Sequence, residues 1–214
     1  MVNTDTAFSG AIAQFYDRHF GPPLFGPYAE DIAARLASLS SGALLEVAAG
    51  TGIVTSVLAQ SLPAAVAIAA TDLNQPMLDF AATKAGLDRV IWQQADAMDL
   101  PFPDASFDTA VVTFALCSVP DEQAALSEIT RVLAPGGRLL FLEHVRSADP
   151  RVAAKQDKVP FPYPLIGCHP NRDTLAEIKA SPLAVESVRE GELPKAPQIE
   201  RPMIAGTARR PTNA

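Results

Sequence analysis

From residue 43 onward the chain alternates short, continuously apolar runs with stretches whose apolar residues recur at helical spacing. Residues 43–49 are apolar apart from Glu46, as a strand buried on both faces requires. Gly50-Thr51-Gly52 then leads into a helix over 53–62. Runs at 66–71, 90–94, 107–115 and 138–144 predict four further strands, and helices are predicted over 75–85 and 122–133. Pro76 falls where the first turn of a helix tolerates it, and the cluster at 134–137 closes the later helix. Strands alternating with helices of this length predict a parallel, doubly wound sheet with right-handed crossovers. Upstream, Phe8, Ile12, Phe15, Tyr16 and Phe20 predict a helix over 7–20, stopped by Gly21-Pro22-Pro23. Ile32, Leu36 and Leu39 place a second helix over 28–38. Downstream, the proline-rich segment 148–170 predicts an ordered excursion or lid. A helix follows over 172–180, and runs at 185–188 and 204–208 predict a hairpin-like pair at the sheet edge.

The expectation is one α/β domain, in which residues 1–40 form a helical cover over a body spanning 41–214, with the insert at about 148–170. Composition keeps this picture and narrows the partners. Hydrophobic residues are 48% and charged residues 19%, a globular balance. A net charge of −7 argues against a nucleic-acid partner, which wants a basic stripe. Cys117 and Cys168 form no C-x-x-C, so neither a disulfide framework nor a metal site is expected, and a reducing cytoplasm is the default location. Residues 1–5 carry no basic or apolar leader, and the longest aliphatic run, 64–70, is too short to span a bilayer. No membrane partner is expected.

The candidate chemistry begins where the first strand ends. A glycine-rich turn between strand and helix brings backbone N–H groups close to a ligand. Asp72 stands about 20 residues beyond Gly52, at the end of the second strand, where a carboxylate accepts hydrogen bonds from ribose hydroxyls. A dinucleotide fingerprint would need a third glycine, G-x-G-x-x-G, but Thr55 occupies that place. No Tyr-x-x-x-Lys pair is present for hydride chemistry, which leaves a nicotinamide enzyme as the minor reading.

Four segments then carry a resemblance. They are Glu46-Val-Ala-Ala-Gly-Thr-Gly52, Thr71-Asp72-Leu-Asn-Gln-Pro-Met77-Leu, Ala95-Asp96-Ala97-x-x-Leu-Pro-Phe-Pro-Asp-x-Ser-Phe-Asp108 and Val132-Leu-x-Pro-Gly-Gly137. In this order they resemble the successive motifs of the Rossmann-like class I methyltransferases, best of all the group that includes the quinone-biosynthesis C-methyltransferases. The resemblance implies a mostly parallel seven-stranded sheet and S-adenosylmethionine as cofactor, with S-adenosylhomocysteine as product. It implies that Glu46, Gly50 and Gly52 shape the methionine pocket, and that Asp72 holds the ribose. Leu73 and Met77 would flank the adenine, Asp96 and Ala97 would address its edge, and Phe114 would face the sulfonium. Tyr16, Ala48 and Thr51 complete the implied cofactor set. For Leu73, Met77 and Phe114, ordinary core packing is the alternative. Ala48 departs from the family's usual glycine, a change expected to be tolerable.

Leu116-Cys117-Ser118-Val119, Phe141-Leu-Glu143-His144-Val145, Gly167-Cys168 with Asn171-Arg172, and Arg201-Pro202-x-Ile204-x-Gly206 are similar to the methyltransferase-like thiol S-methyltransferases. Here the sequence shows Ala180-Ser181-Pro182-Leu183 where those relatives have Ala-Gly-Phe, so the sheet edge is expected to differ. The implied acceptor is a small molecule, a thiol in this reading; the alternatives are a nitrogen, oxygen or carbon of an aromatic, heterocyclic or quinol metabolite. A cofactor-binding protein without catalysis is the remote alternative. A thiol already ionises in part near neutral pH, whereas amine and phenol acceptors gain more from a base. His144, at the end of the fifth strand, is the candidate base and a candidate acceptor contact with Tyr28 and Cys117. His19 and His169 are lesser candidates.

Overall fold

The computed structural model describes residues 14–15, 17–18, 21, 25–159 and 168–212. Helix α1 (Gly26–Arg35) is followed by β1 (Gly42–Val47), α2 (Ile53–Ser61), β2 (Val66–Asp72), α3 (Gln75–Ala82), β3 (Val90–Gln94) and β4 (Phe107–Thr113). Then come α4 (Glu122–Val132), β5 (Leu133–His144), α5 (Pro150–Gln156), α6 (Thr174–Ala180), β6 (Ala184–Glu192) and β7 (Pro202–Arg209). The seven strands form one sheet in the order β3-β2-β1-β4-β5-β7-β6. The first five run parallel, while β7 is antiparallel to β5 and β6 antiparallel to β7.

The alternation of side chains along a strand divides the core in two. Leu44, Ile68, Val111, Leu140 and Leu142 pack on one face under α1 and α2, with Ile32, Leu36 and Leu58. Their strand neighbours Leu45, Val47, Val112, Leu139 and Phe141 pack on the other face under α4 and α6, with Leu126, Ile129 and Ile178. Truncating a fully buried side chain such as Ile129 to alanine costs roughly 2–5 kcal/mol. The helices start where side chains supply the missing acceptor: Asn74 Oδ1 takes the Met77 N–H, Asp121 Oδ1 the Ala124 N–H and Asp173 Oδ1 the Ala176 N–H.

The structure differs from the sequence-based expectation in three places. β5 begins at Leu133 rather than 138, because Leu133 pairs with Phe107 and an irregular register absorbs the glycine pair before Arg138 resumes opposite Thr109. The proline-rich segment contains a helix, α5: Asp149 accepts the Arg151 N–H and Pro150 occupies the first turn, so this proline starts a helix instead of preventing one. β6 runs the full length of β7, Ala184–Glu192, although its side chains are mostly exposed. Charged residues along it are a common device of edge strands. At the chain's start, residues 14–15 and 17–18 are helical, and Asp17 pairs with Lys84 just beyond α3. The remainder of the 7–20 expectation lies outside the described residues, as do positions 160–167 of the insert. Among the described residues, no helix is long and apolar enough to cross a membrane.

Candidate active site

The parallel strands place their carboxyl ends along one rim, where open α/β sheets bind ligands. Just past β1 the backbone enters the left-handed region at Ala48 (φ +56°), Gly50 (φ +56°) and Gly52 (φ +74°). A side chain at Gly50 would be strained by the positive φ, yet a Cβ there would meet nothing within 4 Å: the space over the turn is open. Gly52 is constrained twice over, since a Cβ would lie 3.0 Å from Ala81 and 3.0 Å from the Trp92 ring. Ala48 carries its methyl group at a positive φ, a conformation that costs an L-residue roughly 1–2 kcal/mol.

Asp72 locks this turn to the end of β2. Its Oδ2 accepts the Gly50 N–H at 2.8 Å and its Oδ1 accepts the Asn74 N–H at 2.8 Å. A carboxylate has about four acceptor positions, so each oxygen retains one. Burial lifts its pKa above the ordinary carboxylate range, against the pull of those two donors. Glu46, inside β1, is fully buried, and burial drives its pKa up to about 8. Thr55 favours its ionised form without reaching full hydrogen-bond geometry, while the nearby Asp72 charge opposes it. Its Oε2 has no hydrogen-bond partner among the described residues, nor has the buried Thr51 hydroxyl. An open turn flanked by an orphaned carboxyl and an orphaned hydroxyl fits the cationic, polar end of an amino-acid-bearing nucleoside.

The other expected cofactor residues distribute unevenly. Leu73 is 43% exposed on the rim, whereas Met77 is 5% exposed and packs into the domain from α3. Asp96 closes its own turn, Oδ1 accepting the Met98 N–H at 2.9 Å, and Ala97 packs partly against the core. The Ala95 N–H donates to the Asp72 carbonyl at 3.0 Å, which draws the ends of β2 and β3 together. Tyr16 and His19 lie outside the described residues.

Phe114 follows β4 in a left-handed conformation (φ +52°). Its ring gathers an aromatic cluster, with centroids 5.3 Å from Phe25, 6.2 Å from Tyr28 and 4.8 Å from His144. His144 ends β5, buried, with Nδ1 lacking a partner among the described residues. Tyr28 donates to the Glu192 carbonyl at 3.2 Å. The turn after Phe114 is held from two sides. Glu143 accepts the Ala115 and Cys117 N–H groups at 3.1 and 3.4 Å. Arg172 donates to the Leu116 and Val119 carbonyls at 2.7 and 2.6 Å. Burial pushes Glu143 up to about 8 despite the backbone donors. Cys117 itself is buried rather than exposed on the rim, its sulfur 3.7 Å from the Ser118 hydroxyl. Sequence reasoning assigned no role to Glu143, although it lies within a resembling segment; its physical signal is an acid that ends the apolar run 139–142. A separate cleft at the opposite rim of the sheet, near the starts of β4 and β5 and lined by Asp108, Thr109, Gly136, Gly137 and Arg209, holds none of the expected site residues. Among the described residues no cluster of three or more His, Cys, Asp or Glu side chains could hold a metal.

Comparison with known proteins agrees with this layout. Residues 45–141 match the methyltransferase domain family. The ubiquinone/menaquinone biosynthesis C-methyltransferase of Ectopseudomonas mendocina is 37% identical over 134 residues, covering 58% of this chain and 50% of that protein. The demethylmenaquinone methyltransferase of Thermus thermophilus is 44% identical over 103 residues, covering 47% of this chain and 46% of that one. The chain thus spans about half the length of these curated relatives. Among solved structures, geranyl diphosphate C-methyltransferase from Streptomyces coelicolor, bound to S-adenosylhomocysteine, superposes with a TM-score of 0.66 at 15% identity, covering 86% of this chain and 75% of that one. Residues 45–141 thus match a methyltransferase domain, the sheet order and rim are those of a Rossmann-like fold, and the likeness in sequence is to the quinone-biosynthesis C-methyltransferases.

Proposed function

We propose that the chain is a methyltransferase that passes the S-adenosylmethionine methyl group in line to a small molecule held between Phe114, Tyr28 and His144. The observation that carries this reading is the Asp72 carboxylate, fixed by two backbone N–H groups beside an open glycine turn and an orphaned Glu46. Asp72 would hold the ribose hydroxyls, Glu46 and Thr51 the methionine end, and Leu73 one adenine face. The cofactor supplies a methyl group on a sulfonium, a leaving group good enough that the protein's work is alignment and water exclusion. Phe114, Phe25 and Tyr28 provide the dry wall on the acceptor side. His144 Nδ1, buried beside them, takes the acceptor's proton.

An imidazole with a free nitrogen inside an aromatic wall suits an acceptor that must lose a proton and offers a flat face. The relatives' names point the same way, toward a hydroxylated aromatic or quinol methylated on carbon. The thiol acceptor keeps one support, the similarity of the segments around Cys117, His144 and Arg172 to thiol methyltransferases. Incubating the chain with S-adenosylmethionine and a panel of quinols, phenols, heterocyclic amines and thiols, read by S-adenosylhomocysteine release, separates them. Turnover confined to quinols or phenols, abolished in His144→Gln, is the expected result. Turnover confined to thiols and indifferent to His144→Gln would overturn the acceptor assignment.

A further inference from the structure

The acceptor side contains a group of side chains that methyl transfer does not use. Cys117, on the turn after β4, and Cys168, ahead of α6, are the two cysteines of the chain, both buried and both free. The His169 N–H donates to the Cys117 carbonyl at 2.7 Å. With ordinary backbone dimensions that bond sets the two Cα atoms roughly 5–7 Å apart, within the range a disulfide spans. The two thiols act on each other, and the pair is asymmetric. The Cys117 thiol, then His144 and the Arg172 charge, hold the Cys168 thiol well below its usual pKa, although burial opposes them. The same contact, burial and the Glu143 carboxyl push Cys117 up, with Ser118 opposing. Glu200, in the turn before β7, feels the charges of both His144 and Cys168.

We propose that Cys168 and Cys117 form a reversible oxidation site whose substrate is a small hydroperoxide, with Cys168 the attacking thiolate and Cys117 the resolving thiol. The Cys168 sulfur attacks one peroxide oxygen. The O–O bond breaks, leaving a sulfenic acid on Cys168 and a hydroxide or alkoxide that picks up a proton from solvent. The Cys117 sulfur then attacks the sulfenic sulfur; an S–S bond forms, the S–O bond breaks and water departs with the Cys117 proton. Two thiols have lost two protons and two electrons, and the peroxide has been reduced. A dithiol reverses the step by thiol–disulfide exchange. Burial restricts the oxidant to something near the size of water. Closing the disulfide removes the thiolate that His144 faces, so oxidation reaches the acceptor side while leaving Asp72 untouched. The proposal is independent of which acceptor, or whether any, is methylated.

The test exposes the reduced full chain to a small excess of hydrogen peroxide, quenches with N-ethylmaleimide in denaturant and weighs the intact protein. The expected product has lost two hydrogens, takes no maleimide and returns to two free thiols with dithiothreitol. With two cysteines in the chain, an intramolecular bond has one possible assignment. Cys117→Ser should stop at a sulfenic acid that dimedone traps, and Cys168→Ser should react at least tenfold more slowly. His144→Gln should raise the pH midpoint for alkylation of Cys168 in the Cys117→Ser background, a readout that a mere packing role would not move. Circular dichroism checks that each variant is folded. A folded wild-type chain that still takes two maleimides, forms only intermolecular disulfides, or has single variants oxidised at equal rates overturns the proposal.

Discussion

The two halves of the rim are built by opposite means. On the half proposed to hold the donor, at the ends of β1, β2 and β3, polar groups are set mostly by local backbone: the turn at 48–52, Asp72 two residues before Asn74, and Asp96 two before Met98, with one longer link from Asp72 back to Gly50. On the acceptor half, the groups come from distant segments. Phe25 and Tyr28 belong to the N-terminal part, Cys117 to the turn after β4, His144 to β5, Cys168 and Arg172 to the segment before α6, and Glu200 to the turn before β7. A local device depends on a handful of neighbouring residues and can be carried between proteins as a motif. A convergent device depends on packing throughout the domain and can change with any one contributing segment.

The sharpest way to break this contrast is Asp72→Ala. Two hydrogen bonds to a charged acceptor, each worth roughly 1.5–3 kcal/mol, should disappear from cofactor binding. Calorimetry should show affinity for S-adenosylmethionine lowered by about 100-fold or more, with the Cys117–Cys168 chemistry unchanged. Arg172→Met probes the other half. It leaves the Leu116 and Val119 carbonyls without their donor and should cost about 2–3 kcal/mol of stability. Acceptor KM should rise while the cofactor Kd stays put; equal losses in both would show that the halves are not separable.

The third prediction concerns pH. Glu46 and Glu143 are both pushed to about 8 in the folded chain, far above the ordinary glutamate range they regain on unfolding. The folded state therefore binds more protons, so these groups add stability in acid that is lost as pH rises through about 8. Thermal denaturation of the ligand-free chain should show this slope, flattened in Glu46→Gln and Glu143→Gln. A cationic ligand beside Glu46 favours its ionised form, so cofactor binding should release a proton and strengthen by up to about tenfold per pH unit between 6 and 8. Glu46→Gln should abolish that proton release, whereas Glu143→Gln should not. The smallest expected effect is Ala48→Gly. Relief of the left-handed strain, less the greater freedom of glycine in the unfolded chain, should stabilise by about 0.5–1 kcal/mol, measured as a Tm rise of roughly 1–4 °C.

This contrast also explains what the sequence revealed. The five parallel strands, the glycine turn and Asp72 were legible because each is encoded within a few consecutive residues. The acceptor half was legible only in pieces. His144 stood out as a histidine at a strand end, but nothing near it in the chain announces Cys168 or Glu200, which reach it through the excursion and the turn before β7. Glu143 was overlooked because an acid within an apolar strand gains its meaning from the N–H groups of Ala115 and Cys117, on a different strand's turn. The helix at Pro150–Gln156 was missed because prolines count against helix in composition, whereas Asp149 and Pro150 together make a good start to one.

The place of β7 has a bearing on how the molecule assembles. It is last among the strands in chain order, yet it lies between β5 and β6, and β6 has no other neighbour in the sheet. A nascent chain therefore cannot seat β6 until the strand after it has emerged, and the turn carrying Glu200 arrives with that final strand. Synthesis can complete β1 to β5, which carry the proposed cofactor site, while the proposed acceptor side still waits. Removing residues 202–209 would leave β5 with an open edge and β6 unpaired, an invitation to pair with another copy. Cofactor competence and acceptor competence would then be acquired at different times during folding.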